Sequence, residues 1–344
     1  MYMWVSPPRP GRGMIPLHFQ LAGQGGHTPL QGGLEGQSPS KNIFFPCIVG
    51  PTGTGKTAAA LALAKVLPLS VVNADSRQVY ANFPLITAQP QASERAVCPH
   101  VLYGFLPTEE KLGAGEYARL AGRVLQEIAA QSRVPVLVGG TGLYFRALLE
   151  GLAPIPAIPP EMSAAWQERC QAEGSAALHA LLTERDPAYA AKIHPHDRQR
   201  ITRALEVHEA TDKPFSWWHD RTVPYSPYRP CKVGIGMSLA ELDPLLALRI
   251  DAMLERGALE EARAALERCP APHAPGWSGI GCAEVYGYLS GRLTLEECRA
   301  LWLKNTRAYA KRQLTWFRAD TGIRWFRPGQ TKEIVEYIKR EGKL

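Results

Sequence analysis

The hydrophobic pattern of the chain begins with an apolar run, Ile43–Val49, of the kind that forms a buried parallel strand. Residues 57–67, which follow a glycine-rich turn, are rich in helix-forming side chains. Later apolar runs predict further strands, and apolar positions at helical spacing predict further helices; these are strands at 69–72 and 134–138, and helices at 116–131 and 143–149. The alternation predicts an α/β fold: a parallel, doubly wound sheet flanked by helices.

The pattern changes at residues 152–160, where four prolines indicate a stiff linker. Beyond it the periodicity is helical, over 161–173 and 175–184, and Asp197 is placed to cap a third helix that runs to about residue 211. Strand character then returns at 232–237, and a capping box of Ser238 and Glu241 predicts a helix to about residue 254.

These changes predict four parts of the chain. Residues 1–40 are rich in Gly, Pro and Gln and lack the apolar stretch of a secretory signal, so we expect a disordered extension. Residues 41–152 and 226–330 form the sheet-based core, and 153–225 form an all-helical insertion. Residues 331–344 are expected to be a basic C-terminal tail.

The composition indicates where in the cell the protein is expected and which kind of molecule it is expected to bind. No run of about eighteen apolar residues could span a membrane, and the seven cysteines are odd in number without close metal-ligand spacing, which indicates reduced thiols in the cytoplasm. The net charge is +7, yet residues 299–344 alone carry twelve Lys and Arg against four Asp and Glu. Together with Arg198, Arg200 and Arg203, this surplus suits a polyanion such as nucleic acid, although a solvated basic helix face has the same composition.

A phosphate-binding loop is the clearest motif. Gly50, Gly55, Lys56 and Thr57 fit the pattern of glycine, four residues, glycine, lysine, and serine or threonine, between a predicted strand and a predicted helix. Such a loop cradles phosphate oxygens with backbone N–H groups, and its threonine hydroxyl can bind Mg²⁺. The predicted diphosphate- or nucleotide-binding residues are Gly50, Pro51, Thr52, Gly53, Thr54, Gly55, Lys56 and Thr57, with Thr57 also the magnesium ligand.

The second predicted strand delivers Asp75 to the carboxyl edge of the sheet, where it would face the loop. A nucleotide hydrolase or kinase is the usual owner of such a loop. However, the strand at 134–138 ends in Gly-Gly-Thr without the acid that such enzymes place there, and no Asn-Lys-x-Asp guanine-reading signature is present. The loop could therefore hold a diphosphate that leaves whole in a transfer reaction.

Seven blocks, in order, carry a resemblance to a known family. They are GPTGTGKT (50–57), NADSRQVY (73–80), PHVLYGF (99–105), PVLVGGTGLYFRALLEGL (135–152), IHPHDRQRITRALEV (193–207), GCAEVYGYLSG (281–291) and TRAYAKRQLTWFR (306–318). With them the chain resembles the bacterial tRNA dimethylallyltransferases, also called tRNA isopentenyltransferases. One departure lies at 84–90, where Pro84 and Gln89 replace the Asp and Lys that are usual in the family.

The resemblance implies a P-loop sheet with a helical insertion, and transfer of a dimethylallyl group from dimethylallyl diphosphate to N6 of adenosine 37, 3′ of the tRNA anticodon. It implies Asp75 as general base, Arg249 and Thr57 as catalytic groups on the diphosphate, Mg²⁺ as cofactor, and the anticodon stem-loop as partner of a monomer. The implied tRNA-binding residues are Asp75, Ser76, Arg77, Gln78, Thr141, Ser163, Gln199, Arg200, Ile201, Thr202 and Arg203.

Three other functions remain open from the sequence. An adenylate isopentenyltransferase shares the loop chemistry and uses a free nucleotide as acceptor, but the helical insertion and its arginines favour RNA. A P-loop small-molecule kinase would need the missing acid. A non-catalytic RNA-binding protein is disfavoured because the loop and Asp75 are intact together.

Overall fold

A computed structural model describes residues 43–222 and 228–344. The expected disordered extension, 1–40, and residues 223–227 at the end of the insertion lie outside the described residues. Within the described ranges, no helix is long and apolar enough to cross a membrane.

Six parallel strands form one sheet in the order β3-β2-β4-β1-β5-β6. The strands are β1 (Ile43–Val49), β2 (Leu69–Asn73), β3 (His100–Val101), β4 (Val134–Gly139), β5 (Tyr228–Ile235) and β6 (Arg324–Phe326). The predicted α/β class with a parallel sheet is confirmed. Sequence reasoning missed β3 and β6, because two or three residues are too few for a period-2 pattern.

Fourteen α-helices lie within the described ranges. They are α1 (Lys56–Ala64), α2 (Ala92–Arg95), α3 (Ala114–Ala130), α4 (Gly142–Leu149), α5 (Pro160–Glu173), α6 (Ser175–Arg185), α7 (Pro187–Ala190), α8 (Arg198–Thr211), α9 (Phe215–His219), α10 (Leu239–Glu255), α11 (Ala258–Arg268), α12 (Cys282–Leu289), α13 (Leu295–Arg318) and α14 (Thr331–Gly342). The predicted caps are present: Asp197 accepts a hydrogen bond from Arg200 N, and Ser238 forms the capping box with Glu241.

The central strand explains the continuous apolar run that opens the pattern. In β1, Phe45 and Cys47 pack into a hydrophobic cluster on one face of the sheet, while Ile48 packs into a cluster on the other face with α1. A strand covered on both faces needs apolar residues at successive positions, and β1 pairs with β4 on one side and β5 on the other. The phosphate loop therefore leaves a strand that is paired at both edges and covered on both faces.

The expected basic tail is instead a packed helix. In α14, Ile334 and Ile338 are buried at 1% and 0% exposure in the same cluster as Ala59 and Leu63 of α1. The apolar pair at i and i+4 is an amphipathic signal that the surrounding lysines and glutamates obscured. The description of 331–344 as a tail needs this correction, because α14 supports the helix that follows the phosphate loop.

Helices α5 to α9 surround a hydrophobic cluster of their own. Its buried members come from all five helices, with contributions from the loops between them: Trp166, Cys170, Leu178, Leu182, Ala190, Ile193, Ile201, Ala204, Leu205, Val207 and Phe215. A separate core is the property expected of a unit inserted into the sheet-based fold.

Candidate active site

The phosphate loop joins β1 to α1 and approaches the end of β5 closely. Gly50 has φ 140°, and a Cβ at this position would lie 2.2 Å from the Ile235 carbonyl oxygen. Gly55, with φ 86°, turns the chain into α1. Inside the loop, the Thr54 hydroxyl donates a 3.0 Å hydrogen bond to the Pro51 carbonyl. These contacts fix the conformation of the loop directly before the N-terminus of α1, where an anion is favoured.

Lys56 is the first residue of α1 and folds back over the loop. Its Nζ donates a 2.7 Å hydrogen bond to the Pro51 carbonyl. Burial lowers the pKa of the ammonium to about 8; Asp75 opposes this shift, and Arg249 adds to it. The ammonium is therefore held by a carbonyl and has no directly bonded carboxylate, as expected for a group that binds an anion.

Asp75 follows β2 and is held by the backbone around it. Asn73, which is fully buried, accepts a hydrogen bond from Asp75 N (2.8 Å) and donates one to the Asp75 carbonyl (3.0 Å). Asp75 Oδ1 accepts from Arg77 N at 2.9 Å. The carboxylate is thus oriented through Oδ1, and its charge acts on both Lys56 and Arg249.

Thr141, just after β4, connects the two neighbouring strand ends. Its Oγ1 accepts a 2.9 Å hydrogen bond from Ser76 N and donates to Ser76 Oγ at 3.3 Å. Tyr309 of α13 is hydrogen-bonded to Thr141, and burial raises the pKa of its phenol. Ser76 and Tyr309 line the cavity beside Asp75, and Thr141 supports both of them from behind.

Arg249 reaches the site from α10. Its side chain is half-buried, and burial lowers its pKa while Asp75 and Glu94 oppose that shift. It forms no ion pair or hydrogen bond with any other residue in 43–222 or 228–344. A half-buried arginine without a directly bonded carboxylate has unused hydrogen-bond donors, so this position suits an anionic ligand.

One cavity of about 1120 Å³ joins these groups. Ten of the predicted site residues line it: Thr52, Gly53, Gly55, Lys56, Thr57, Asp75, Ser76, Arg77, Gln78 and Arg249. Gly50, Pro51 and Thr54 belong to the same loop without lining the cavity, and Thr141 touches it only through Ser76. The apolar part of the lining includes Leu246, Ile250 and Trp302. The cavity therefore has an anion-binding end and apolar walls.

Arg77 and Gln78, both predicted to contact tRNA, use their side chains in hydrogen bonds to the wall of the cavity. Arg77 Nη1 donates to the Pro275 carbonyl (3.3 Å) and to Ser278 Oγ (3.1 Å), in a short 3₁₀-helix, Pro275–Ser278. Gln78 Nε2 donates to the carbonyls of Thr87 and Ala88, at 2.9 and 2.8 Å. Both side chains hold segments that line the cavity.

Residues 84–90 differ from the pattern usual in the resembled family, and the structure explains the difference at Gln89. Gln89 is buried at 7% exposure, and its Nε2 donates a 2.8 Å hydrogen bond to the Tyr80 carbonyl. A neutral amide satisfies this buried acceptor without the cost of burying a charge. The same segment is anchored by Glu261 of α11, whose carboxylate accepts from Leu85 N and Ile86 N at 2.7 and 2.9 Å.

Gln313 of α13 is a functional residue that sequence reasoning missed. Its Oε1 accepts a 3.0 Å hydrogen bond from Thr52 N, and its Nε2 donates a 2.9 Å hydrogen bond to the buried Gly140 carbonyl. One amide thereby ties the phosphate loop to the strand end beside Asp75. Gln313 belongs to the motif block at 306–318, but nothing local in that block indicates a contact 261 residues away.

Residues 199–203 of α8, predicted to contact tRNA, lie partly on the surface and partly in the core formed by α5 to α9. Gln199, Arg200 and Arg203 are exposed on α8. Ile201 is buried at 0% and Thr202 at 8%, with the Thr202 hydroxyl donating to the Arg198 and Gln199 carbonyls. The placement of Ile201 and Thr202 on a tRNA-contact surface needs correction, because their side chains face the unit's own core.

Arg203 and Ser163 also have local surroundings that bear on their assignment. The Arg203 guanidinium forms an ion pair with Glu206, which is buried at 6% exposure. Ser163 lies half-buried in the first turn of α5 and does not line the cavity.

The residues present fit a magnesium ion that is bound mainly by its substrate. The described ranges hold no group of three or more His, Cys, Asp or Glu side chains that could bind a metal alone. Thr57, in the first turn of α1, lines the cavity next to Lys56. A single hydroxyl with diphosphate oxygens and water is a usual environment for Mg²⁺, which rarely has an all-protein site.

Comparison with known proteins agrees with this geometry. The family model described as IPP transferase matches residues 78–320, and the isopentenyl transferase model matches 44–97. A tRNA dimethylallyltransferase of Oleidesulfovibrio alaskensis is 58% identical over 279 residues, 81% of this chain and 92% of that protein. One of Desulfovibrio desulfuricans is 53% identical over 305 residues, 89% of this chain and 94% of that protein.

A solved structure supports the same conclusion. The crystal structure of the full-length tRNA isopentenylpyrophosphate transferase of Bacillus halodurans aligns with a TM-score of 0.64 and 33% identity, covering 88% of this chain and 99% of that chain. The resemblance predicted from the seven motif blocks is confirmed, and the chain belongs to the IPP transferase family.

Proposed function

We propose that this protein transfers a dimethylallyl group from dimethylallyl diphosphate to N6 of the adenosine at tRNA position 37, releasing diphosphate. The observation that carries the proposal is the shared cavity: the phosphate loop, Asp75 and the unpaired Arg249 all line it. An anion-binding end and a carboxylate in one partly apolar cavity suit a donor with a diphosphate head and a five-carbon allylic tail.

The diphosphate of the donor lies on the loop that runs from Gly50 to Thr57. Lys56 and Arg249 contact its oxygens and stabilise the charge that develops as the allylic C–O bond breaks. Mg²⁺, held by the Thr57 hydroxyl and the diphosphate, would add a further positive charge at the leaving group. Diphosphate then leaves with the electron pair of the broken bond.

Asp75 serves the acceptor. The exocyclic amine of adenine is a weak nucleophile, and it must lose a proton as its nitrogen bonds to the allylic carbon. The Asp75 carboxylate is oriented by Asn73 and Arg77 N and takes that proton as general base. Because Asp75 lines a cavity and not a flat surface, the adenosine reaches it flipped out of the base stack.

The helical unit supplies contacts to the RNA. We assign Gln199, Arg200 and Arg203, which are exposed on α8, to the backbone of the anticodon stem-loop, and we keep Ser163 as a weaker candidate. In this assignment residues 41–152 and 226–330 perform the chemistry and 153–225 position the tRNA. The enzyme acts as a cytoplasmic monomer, since one chain carries the whole cavity.

The direct test is to incubate the purified protein with labelled dimethylallyl diphosphate, Mg²⁺ and bulk tRNA, and then to analyse the nucleosides. We expect label in N6-(dimethylallyl)adenosine. Transfer to free AMP in preference to tRNA would support an adenylate isopentenyltransferase. Brisk ATP consumption without any transfer would support a kinase, and either result would refute the proposal.

A single substitution tests the role of Asp75 as general base. Asp75→Asn should lower kcat about 10²–10⁴-fold and leave binding of dimethylallyl diphosphate nearly unchanged, because a general base acts in the transition state. Asp251→Asn is the matched control: Asp251 lies on α10 two residues after Arg249, but it pairs with Arg299 and does not line the cavity. Equal turnover in the Asp75 and Asp251 variants would remove the base assignment.

A further inference from the structure

An exposed aromatic residue lies beside the cavity and is not used by the chemistry above. Trp316 of α13 is 37% exposed, the only tryptophan among the large exposed hydrophobic residues of the described ranges. It does not line the cavity. A partly exposed indole keeps a large aromatic surface available for contact with a ligand.

Trp316 continues a line of side chains that starts at the cavity. Tyr309 and Arg312 line the cavity, and Trp316 follows at i+7 and i+4 from them on the same side of α13. At 1.5 Å per residue, Trp316 lies about 10 Å beyond Tyr309 along the helix axis. The Arg312 guanidinium lies over the Tyr309 ring, 5.6 Å from its centroid. We call Tyr309, Arg312 and Trp316 the α13 edge.

The indole is also tied to the strand end that faces Asp75. A Cβ on Gly142 would lie 2.0 Å from Trp316 Nε1, so the ring sits directly against the start of α4. The residue before Gly142 is Thr141, which is bonded to Ser76 in the cavity wall. Trp316 is therefore positioned next to the acceptor side of the cavity, and not next to the phosphate loop.

Several basic side chains lie near Trp316. Arg146 lies over the indole with its guanidinium carbon 5.1 Å from the ring centroid; its side chain is 54% exposed and forms a solvent-exposed ion pair with Glu150 at 3.4 Å. Arg312 and Lys311 are exposed, and neither forms an ion pair within 43–222 or 228–344. Aromatic and guanidinium planes with free positive charges nearby are the features that hold unstacked nucleobases and their phosphates.

From these contacts we propose that Trp316 is the stacking platform for a nucleobase adjacent to the flipped adenosine. This rests on the proposed function and names the RNA feature that the enzyme recognises next to its target. Flipping one base breaks its stacking with both neighbours. A neighbouring base regains a stacking partner on Trp316, while Arg146 and Arg312 contact the adjoining phosphates.

The experiment compares three RNAs, one intact and two abasic, and four proteins by equilibrium binding. The intact RNA is an anticodon stem-loop with the acceptor adenosine, and each of the others has an abasic residue in place of a nucleotide next to it, on the 5′ or the 3′ side. With the intact RNA, Trp316→Leu should raise Kd about 5- to 150-fold, the usual worth of stacking one base, and Trp316→Phe should restore most of the affinity. With the abasic RNA on the correct side, wild type and Trp316→Leu should bind equally.

The matched control is Tyr337→Leu. Tyr337 lies on α14 and also has a guanidinium over its ring, that of Arg340 at 5.3 Å, but it does not line the cavity or the α13 edge. Its variant should bind all three RNAs like wild type. An unchanged Kd for Trp316→Leu, or the same loss on intact RNA and on both abasic RNAs, would overturn the stacking role.

Binding and turnover separate the two proposals. If wild type binds the stem-loop with the expected dependence on Trp316 but transfers no prenyl group, the proposed chemistry fails and the platform stands. If wild type transfers the group but the Trp316 variants keep wild-type Kd and KM for RNA, the platform fails and the chemistry stands. The KM for dimethylallyl diphosphate should be the same in all four proteins.

Discussion

Gln313 offers a sharp test of how the two halves of the cavity are held together. Gln313→Met keeps the length of the side chain and removes both hydrogen bonds. The buried Gly140 carbonyl then lacks its donor, at a cost of about 1–3 kcal/mol, and the partly buried Thr52 N–H loses a bond with a net value of about 0.5–1.5 kcal/mol. We expect a loss of about 2–4 kcal/mol in the free energy of unfolding, measured by urea denaturation.

The same change should impair turnover more than binding. The amide sets the position of the phosphate loop relative to the strand end beside Asp75, and a displacement of about 1 Å between reacting groups can cost about 10²-fold in rate. We expect kcat to fall at least about 10-fold at temperatures where the variant is folded, while the KM for dimethylallyl diphosphate changes less, because Lys56 and Arg249 remain.

A second amide on the same helix provides the control. Asn305 Nδ2 donates a 2.6 Å hydrogen bond to Glu284, which is buried at 3% exposure, and Asn305 does not line the cavity. Asn305→Leu should cost a comparable stability of about 1–3 kcal/mol and leave kcat close to wild type. If both variants lose kcat in proportion to their stability, Gln313 is only a structural residue. If Gln313→Met keeps wild-type kcat, the reasoning is refuted.

Two further predictions concern the charges of Lys56 and Arg203. The pKa of Lys56 is lowered to about 8, so its charge in the free enzyme is lost as pH rises through that value, and the KM for dimethylallyl diphosphate should rise between pH 8 and 9.5. Lys56→Arg, whose side chain stays charged, should flatten this profile; a flat wild-type profile would contradict the argument. Arg203→Gln should reduce the slope of log Kd against log salt for tRNA by about 0.7–0.9, the share of one phosphate contact, while keeping a hydrogen-bond donor for buried Glu206. Arg263→Gln, at an exposed ion pair on α11, is its control, and an unchanged slope in Arg203→Gln would exclude a backbone contact.

Local patterns predicted the parts of the site that are local in the chain. The phosphate loop is one continuous segment, and Asp75 follows a strand whose apolar run is readable, so strand order brings both to one edge of the sheet. Arg249 could be assigned only through the family resemblance, since one arginine in a helix has no distinctive spacing.

Features that depend on contacts between distant parts of the chain could not be predicted from the sequence. Gln313 binds a loop 261 residues earlier in the chain, and no local pattern encodes such a pairing. Arg77 and Gln78 line the cavity, but their hydrogen bonds to its walls depend on segments folded beside them. In α14 a high density of charge hid a two-residue apolar stripe. Burial of Ile201 and Thr202 required knowledge of which face of α8 meets the helical core.

The pairing of β1 with β5 has a consequence for how the protein is made on the ribosome. The loop at 50–57 leaves the exit tunnel early, but the strand on its far side starts at residue 228, and the amide and helix that brace it come later still. Contacts of such long separation form slowly and leave apolar strands uncovered meanwhile. A nascent chain arrested before residue 331 would therefore leave the α1 surface that packs against α14 open, and it is a natural client for chaperones until translation ends.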